Sequence, residues 1–398
     1  MDTGHFHVIK GLRLGTARAG IKRQDRDDLL IIEACENASV AAVFTRNAFC
    51  AAPVTLAREH LPQHPRWLIV NSGNANAGTG ERGRADALKT CQRLAEQVHA
   101  RPEAVLPFST GVIGEYLPVE KLEAALPSAL AHLHAEHWPE AARAIMTTDT
   151  RPKLASRCIE VNGCPVHLTG IAKGAGMIHP NMATLLVFMA TDAAIPHATL
   201  QTTLSAVVED SFNAITVDGD TSTNDSCVLI ASGASGVALD STHPAWTEFQ
   251  EALSSLCEEL ALAVIRDGEG ATKLIRICVE HARDRAEAHR VASTIALSPL
   301  VKTAFFASDP NWGRILAAVG RSECADLDVS QVSIWLGDVA IVSGGERAST
   351  YTEQAGQAVM AGDDIRVRVS LGRGTAHRTV LTCDFSYDYV RINAEYRT

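Results

Sequence analysis

The chain has 398 residues, 46% of them hydrophobic and 21% charged, a composition typical of a folded protein of about two to three domains. Its formal net charge is −10, so it offers no basic surface to nucleic acid or to an anionic membrane. The longest apolar run, Leu185 to Ala190, is far shorter than the ~20 residues of a membrane span. Residues 1–10 carry no secretory signal pattern, and we expect a cytoplasmic protein with neither nucleic acid nor membrane as a partner.

Short β-branched runs predict strands, and apolar residues at helical spacing predict helices. In the first half we predict strands at 29–32, 40–44 and 67–70, a turn-rich loop at 71–78, and helices at 82–98 and 117–134. In the second half we predict a strand at 184–191, helices at 199–212 and 247–265, and strands at 273–279, 329–336, 365–371 and 379–385. The elements come in blocks rather than in regular alternation. The pattern therefore predicts an α+β fold with helices packed on largely antiparallel sheets.

The cysteines and histidines give no sign of a disulfide framework or a metal centre. The ten cysteines are scattered without a CxxC pair, which predicts buried free thiols. His132, His134 and His137 stand close in sequence, but their offsets do not place all three on one helical face. We therefore predict no metal site.

The most informative segment reads KGAGMIHPNMATLL, from Lys173 to Leu186. Its glycines and proline set a loop that leads into an apolar strand, with a small residue and then a threonine at the junction. A threonine there can attack the preceding carbonyl, of Ala183, and the resulting ester is opened by water to leave Thr184 as a new N-terminus. Its α-amine has a pKa of ~7.7 to 8.0 and can accept the proton of its own hydroxyl. An ordinary loop before a core strand explains the same residues. A phosphate-binding loop is disfavoured, because the segment has neither the third glycine of a Rossmann fingerprint nor the GK[ST] of a Walker motif.

The segment resembles the cleavage and nucleophile motif of the ornithine acetyltransferase family, also called glutamate N-acetyltransferase. The similarity extends along nearly the whole chain. It includes FTRN from Phe44, NSGNANAG from Asn71, STGVIG from Ser109, MTTDT from Met146, DGDTSTN from Asp218, DGEGATK from Asp267, SDPNWGR from Ser308 and NAEY from Asn393.

The resemblance implies that the protein cuts its own Ala183–Thr184 bond. Two chains would result, residues 1–183 and 184–398, which together form one catalytic unit and assemble as α2β2. The implied fold is a layered sheet core sandwiched by helices, similar to the self-processing aminopeptidases, with smaller accessory lobes.

The resemblance also implies roles for individual residues. Thr184 is the nucleophile, and Thr110 with Gly111 forms the oxyanion hole. By itself, Ser109-Thr110-Gly111 is also good turn chemistry. The implied substrate contacts are Thr147, Lys173, Thr184, Glu269, Asn393 and Thr398. Lysine suits a carboxylate and glutamate suits an ammonium group, although each residue alone is typical of a solvated surface.

The implied reaction is a ping-pong acetyl transfer from N2-acetylornithine to glutamate through acetyl-Thr184, in arginine biosynthesis. We expect no metal or organic cofactor, because one acyl group is exchanged between an amide and an ester. The use of acetyl-CoA as a co-substrate stays open. An amidase or aminopeptidase with the same nucleophile, in which water resolves the acyl-enzyme, is the alternative, and a non-catalytic binding protein is a third interpretation.

Overall fold

The computed structural model describes residues 6–22, 24–179 and 185–396. Contacts within the described chain define two compact units. Unit 1 comprises residues 6–22, 24–177, 185–213 and 220–264, and unit 2 comprises residues 178–179, 214–219 and 265–396. Ala183 and Thr184 lie outside the described residues, so the division into chains 1–183 and 184–398 stays a prediction.

Unit 1 contains nine strands and six helices among its described residues. The strands are β1 Leu12–Ala17, β2 Leu29–Ala34, β3 Ser39–Phe44, β4 Trp67–Asn74, β5 Val105–Val112, β6 Lys153–Val161, β7 Cys164–Lys173, β8 Leu186–Thr191 and β9 Ser226–Ala231. The helices are α1 Ala52–His60, α2 Gly80–Gln97, α3 Val119–Ala131, α4 Trp138–Ala144, α5 His197–Asp210 and α6 Trp246–Arg266.

These strands form two mixed sheets. One has the order β1-β2-β4-β5 and the other β3-β9-β8-β7-β6. Each contains a single parallel pair, β4 with β5 and β8 with β9, and all other neighbours are antiparallel. The β6–β7 hairpin turns at Asn162 and Gly163, both with positive φ, as a two-residue turn requires.

The two sheets pack face to face over one apolar core, in which the rings of Phe108 and Phe188 meet edge to face at 5.1 Å. The outer face of the first sheet is covered by α2 and α3. Helix α2 presents Ala87, Cys91 and Leu94 to it at helical spacing. On the second sheet, Met189 packs with Cys257 of α6, and α5 lies against β3. Unit 1 is therefore a four-layer sandwich with helices outside both sheets.

Unit 2 is built on one six-stranded sheet. Its strands are β10 Leu274–Ala282, β11 Ser333–Leu336, β12 Val339–Ser343, β13 Glu346–Arg347, β14 Asp364–Ser370 and β15 Ala376–Cys383. Its helices are α7 Arg285–Ala296, α8 Pro299–Phe306, α9 Trp312–Gly320, α10 Glu353–Met360 and α11 Tyr387–Ala394. The order is β13-β12-β11-β14-β10-β15, with β10 and β14 parallel and the rest antiparallel. Apolar residues of α7 to α10 complete its core.

The α+β prediction is confirmed, as is the layered core with helices outside. Most predicted elements form within a few residues of their expected bounds. The loop prediction was wrong for Asn71–Asn74, which extend β4 in the parallel ladder with β5. The strand predicted at 329–336 is shorter, because Asp328 caps a 3-10 turn over Val329–Gln331 and only Ser333–Leu336 pairs. Helix α3 ends at Ala131, short of the predicted residue 134.

The ten cysteines are free thiols, as predicted. The expectation of buried thiols is confirmed for four of them, Cys91, Cys227, Cys257 and Cys383, and four others are half-buried, Cys35, Cys50, Cys278 and Cys324. It was wrong for Cys158 and Cys164, which are exposed at the β6–β7 hairpin, where only one sheet face packs on the core. Among the residues described, no helix combines the length and apolar character needed to cross a bilayer.

Candidate active site

The predicted site residues fall into three groups. Thr110, Gly111, Thr147 and Lys173 belong to unit 1, and Glu269 and Asn393 belong to unit 2. Ala183, Thr184 and Thr398 lie outside the described residues, so the structure says nothing of their positions.

Thr110 and Gly111 lie in strand β5, not in a turn, so the turn alternative was wrong. Gly111 has φ +135°, a conformation that L side chains rarely adopt. A Cβ at this position would lie 2.2 Å from the carbonyl carbon of Gly73 on β4. Position 111 therefore requires glycine for two reasons, the backbone angle and the close approach of the neighbouring strand.

Replacing Gly111 by alanine is expected to lower the free energy of unfolding by about 2 to 4 kcal/mol, because the methyl group meets backbone atoms that cannot move aside. The measurement is urea unfolding. Gly114→Ala is the control, since Gly114 also has a positive φ but a Cβ there meets nothing within 4 Å. Equal losses for the two variants would contradict the steric argument. A bulkier substitution at Gly111 would disturb packing even more, so a loss of activity in such a variant would report on packing rather than on the oxyanion hole.

Lys173 ends strand β7 and brings its ammonium group to Thr110. Its Nζ donates a hydrogen bond of 3.2 Å to Thr110 Oγ1, and both side chains are buried. Lysine carries only donors, so the hydroxyl is the acceptor in this bond. The hydroxyl hydrogen is thereby left to donate elsewhere, and the adjacent positive charge strengthens it as a donor. The pair has the chemistry that an oxyanion site requires.

Asp149 ties together the segments that carry Thr147 and Lys173. One carboxylate oxygen accepts from the Thr147 amide at 3.0 Å, and the other accepts from the Gly174 amide and from Lys153 Nζ at 2.8 and 2.6 Å. Burial tends to raise the pKa of Asp149, but the charges of Lys173 and Lys153 and these hydrogen bonds together lower it to about 2. The carboxylate is therefore ionised at neutral pH and fixes both segments.

Buried side-chain amides hold the ends of β4 and β5. Asn224 Nδ2 donates to the carbonyls of Ala75 and Ser109, at 2.7 and 3.0 Å. Ser109 Oγ donates to Asn71 Oδ1 at 2.5 Å, and Asn71 Nδ2 donates to the Asn74 carbonyl at 2.8 Å. Three of the quoted motifs, NSGNANAG, STGVIG and DGDTSTN, thus meet beside Thr110.

The residue that follows the predicted nucleophile is held on both sides. Leu185 N donates to Asp225 Oδ1 at 3.1 Å, and the Leu185 carbonyl accepts from Ser226 N at 3.1 Å. Burial raises the pKa of the Asp225 carboxyl well above its ordinary value. The hydrogen bonds from the Ser222 side chain and Leu185 N, and the charge of Lys173, offset this only in part. The chain on the C-terminal side of Thr184 is therefore anchored at a buried carboxyl group.

Asp149, Asn224 and Asp225 were not predicted as site residues. Asp149 and Asn224 stand inside quoted motifs, and Asp225 directly follows one of them. Their residue types alone did not mark them as site residues, because aspartate and asparagine are also common in ordinary turns. A buried carboxyl or amide is recognised only once its partners are known.

In unit 2, Glu269 and Asn393 are brought together. Asn393 Nδ2, on α11, donates to Glu269 Oε2 at 2.8 Å, and Glu269 is buried. Burial raises the pKa of the Tyr396 phenol, and the charge of Glu269 adds to the rise. The loop that carries Glu269 is tied to the same segment, because Ser386 Oγ donates to the Gly270 carbonyl at 2.6 Å. Two of the predicted substrate contacts therefore share one hydrogen-bonded cluster.

His179 lies in a loop of unit 2, with its Nδ1 3.5 Å from Thr216 Oγ1. In the part of the chain that the structure describes, no group of three or more histidine, cysteine, aspartate or glutamate side chains has an arrangement suited to a metal ion.

A buried hydroxyl that accepts from an ammonium group can donate its own hydrogen to an oxyanion, which suits acyl transfer. Residues 13–398 match the model of the ArgJ family. The chain is 63% identical over 391 residues to a protein of Methylococcus capsulatus named arginine biosynthesis bifunctional protein ArgJ, covering 98% of this chain and 96% of the relative. The chain thus belongs to the ArgJ family.

Two solved structures are also similar. A Bacillus halodurans arginine biosynthesis bifunctional protein ArgJ shares 43% identity, with a TM-score of 0.49 over 51% of this chain and 95% of that one. A Mycobacterium tuberculosis ornithine acetyltransferase, solved with ornithine, shares 32% identity, with a TM-score of 0.38 over 44% and 93%. Family membership confirms the resemblance inferred from the motifs and identifies the chain as an enzyme of the acetyltransferase class.

Proposed function

We propose that this protein transfers the acetyl group of N2-acetylornithine to glutamate, giving ornithine and N-acetylglutamate in arginine biosynthesis. The family and the names of the relatives from Methylococcus capsulatus and Mycobacterium tuberculosis support this assignment. The observation that carries it in this chain is the buried bond from Lys173 Nζ to Thr110 Oγ1, which leaves a polarised hydroxyl hydrogen for an oxyanion.

The first step is self-cleavage. Thr184 Oγ attacks the carbonyl carbon of Ala183 and the peptide C–N bond breaks. An ester forms, and the nitrogen keeps its own hydrogen and takes up the hydroxyl proton to become a free amine. Water then hydrolyses the ester, giving the Ala183 carboxylate and the free Thr184 hydroxyl. The new α-amine supplies a base beside its own hydroxyl.

The second step is acetyl transfer by a ping-pong mechanism. Thr184 Oγ attacks the acetyl carbonyl of N2-acetylornithine while the α-amine takes the hydroxyl proton. Thr110 and Gly111 donate to the oxyanion, and that proton passes to the departing amine of ornithine. The amine of glutamate then attacks the acetyl ester and gives up a proton to the α-amine. The C–O bond to Thr184 breaks, the α-amine returns that proton to Thr184 Oγ, and N-acetylglutamate leaves.

The substrate contacts follow from charge and position. Thr147 and Lys173 are the proposed contacts in unit 1, where Lys173 supplies positive charge for a carboxylate. Glu269, Asn393 and Thr398 are the other proposed contacts, and Glu269 supplies negative charge for an ammonium group. Amide-to-ester exchange needs no resident cofactor. We further propose that residues 1–183 and 184–398 assemble as α2β2 in the cytoplasm.

Intact mass under denaturing conditions and a product assay test the proposal. We expect two species of about 20 and about 23 kDa, in proportion to 183 and 215 residues of a 42.5 kDa chain, the heavier beginning at Thr184. With N2-acetylornithine and glutamate, N-acetylglutamate should form faster than acetate. Dominant acetate would favour the amidase alternative, and a single 42.5 kDa species would favour a binding protein. A parallel assay with acetyl-CoA in place of N2-acetylornithine tests the second donor.

A further inference from the structure

Lys153 is a buried charged residue to which the mechanism above gives no role. Its side chain is 1% exposed, and its Nζ donates to Asp149 Oδ1 at 2.6 Å, where the aspartate side chain is fully buried. Lys153 begins strand β6 and stands opposite Ala172 of β7 in the antiparallel ladder. The residue after Ala172 is Lys173, whose ammonium group donates to Thr110 Oγ1. Two buried lysines on neighbouring strands therefore lie near one carboxylate.

The two lysines act on the same carboxylate but make different bonds. Burial works to raise the pKa of Asp149, whereas the charges of Lys173 and Lys153 work to lower it, and the Lys173 charge has the larger effect. The ion pair at 2.6 Å nevertheless comes from Lys153, and Lys173 Nζ donates to Thr110 Oγ1 at 3.2 Å. The amide of Gly174, next to Lys173, donates to Asp149 Oδ1 at 2.8 Å. Lys173 is therefore placed to pair with Asp149 once the bond from Lys153 is lost.

We propose that Lys153 is a positioning residue for the oxyanion site, which by pairing with Asp149 keeps Lys173 on the Thr110 hydroxyl. This inference rests on the proposed function. A buried carboxylate that loses its partner is strongly destabilising, so it takes up another cation within reach. Without Lys153, the ammonium group of Lys173 would turn to Asp149. The Thr110 hydroxyl would then lose the adjacent charge that strengthens it as a donor.

Asp225 is a second buried carboxyl in the field of Lys173, but its charge state differs. Burial raises the pKa of Asp225 well above its ordinary value, and its hydrogen bonds and the charge of Lys173 offset this only in part. The ionised form of Asp225 is therefore disfavoured. Asp149, with a pKa of about 2, is a carboxylate at neutral pH. Asp149 is thus the group that requires a counter-charge, and Lys153 supplies it through a direct ion pair.

Lys153→Met tests the assignment, because methionine keeps most of the side-chain length without the charge. We expect kcat to fall at least about tenfold with a small change in KM, since a polarised donor to the oxyanion acts mainly in the transition state. In the Asp149→Asn background the same substitution should change kcat by less than about threefold, because no carboxylate is left to attract Lys173. In the Thr110→Val background its effect should be equally small, because the hydroxyl that Lys173 polarises is already absent. A merely structural role of Lys153 would lower kcat alike in all backgrounds.

Lys89→Met is the matched control and should keep the wild-type kcat, since Lys89 lies on α2, is 40% exposed and pairs with Glu120 at 3.5 Å. Each rate is divided by the fraction of cleaved chain, measured by intact mass. If thermal unfolding shows that Lys153→Met does not fold, Lys153→Gln, which keeps a donor but no charge, takes its place with the same expected loss.

An unchanged kcat in the folded Lys153 variant would overturn the proposal. An equal loss of kcat in the wild-type and Asp149→Asn backgrounds would also overturn it, because Lys153 would then act through something other than the carboxylate. Failure of the proposed function itself is recognised separately, because wild-type protein would then form no N-acetylglutamate.

Discussion

Replacing Thr184 by alanine is expected to give one uncut chain and to reduce acetyl transfer by about 10⁴-fold or more, as loss of a covalent nucleophile does in other acyl-transfer enzymes. The substitution removes the one hydroxyl that both self-cleavage and formation of the acyl-enzyme require. Without it the Ala183 carbonyl is not attacked, so no free α-amine forms, and no acyl-enzyme can form either. Intact mass and N-acetylglutamate production measure the two effects separately.

The control for this substitution is Thr184→Ser, which keeps the hydroxyl and removes only a methyl group. We expect this variant to yield two fragments and measurable acetyl transfer, because serine offers the same nucleophilic atom. Fragments of wild-type size from the alanine variant would show that cleavage depends on another residue. Turnover by the alanine variant would remove Thr184 from the mechanism, whatever its cleavage state.

Local sequence patterns predicted the α+β architecture because the spacing of apolar residues along a helix or strand follows from which of its faces is buried. The apolar spacing of α2, at Ala87, Cys91 and Leu94, is read directly from the chain, as are the apolar residues of β2. The prediction fails where side chains, not backbone preferences, decide the conformation. Asn71 and Asn74 are typical turn residues, yet they extend β4 because the parallel ladder with β5 and buried amide bonds hold them there.

The site was predicted through motifs, and its supporting residues were not. Asp225 reaches Leu185 from 40 residues away, and Asn224 reaches Ala75 from 149 residues away. Contacts between residues so far apart in the sequence depend on how β8 and β9 pair and on how the sheets stack. No local sequence pattern specifies either. The motifs therefore gave candidate site residues, and the tertiary contacts were needed to identify the atoms that hold those residues in place.

Replacing Thr110 by valine is expected to reduce kcat by about 10²- to 10³-fold with a small change in KM, because a donor to the oxyanion acts mainly in the transition state. Valine has nearly the shape of threonine and suits a β-strand, so the buried position in β5 is kept. The substitution removes the hydroxyl hydrogen and leaves Lys173 Nζ without the acceptor it has at 3.2 Å.

Steady-state kinetics on fully cleaved protein separate the two roles that the Thr110 hydroxyl could have. Thr110→Ser, which keeps the hydroxyl, should retain most of the wild-type kcat. If valine raised KM and left kcat unchanged, the hydroxyl would act in substrate binding rather than on the oxyanion. If Lys173→Met lowered kcat to the level of Thr110→Val and the double variant fell no further, the ammonium group would act through the hydroxyl that it polarises. That result would assign Lys173 to the oxyanion site, in addition to any contact it makes with a substrate carboxylate.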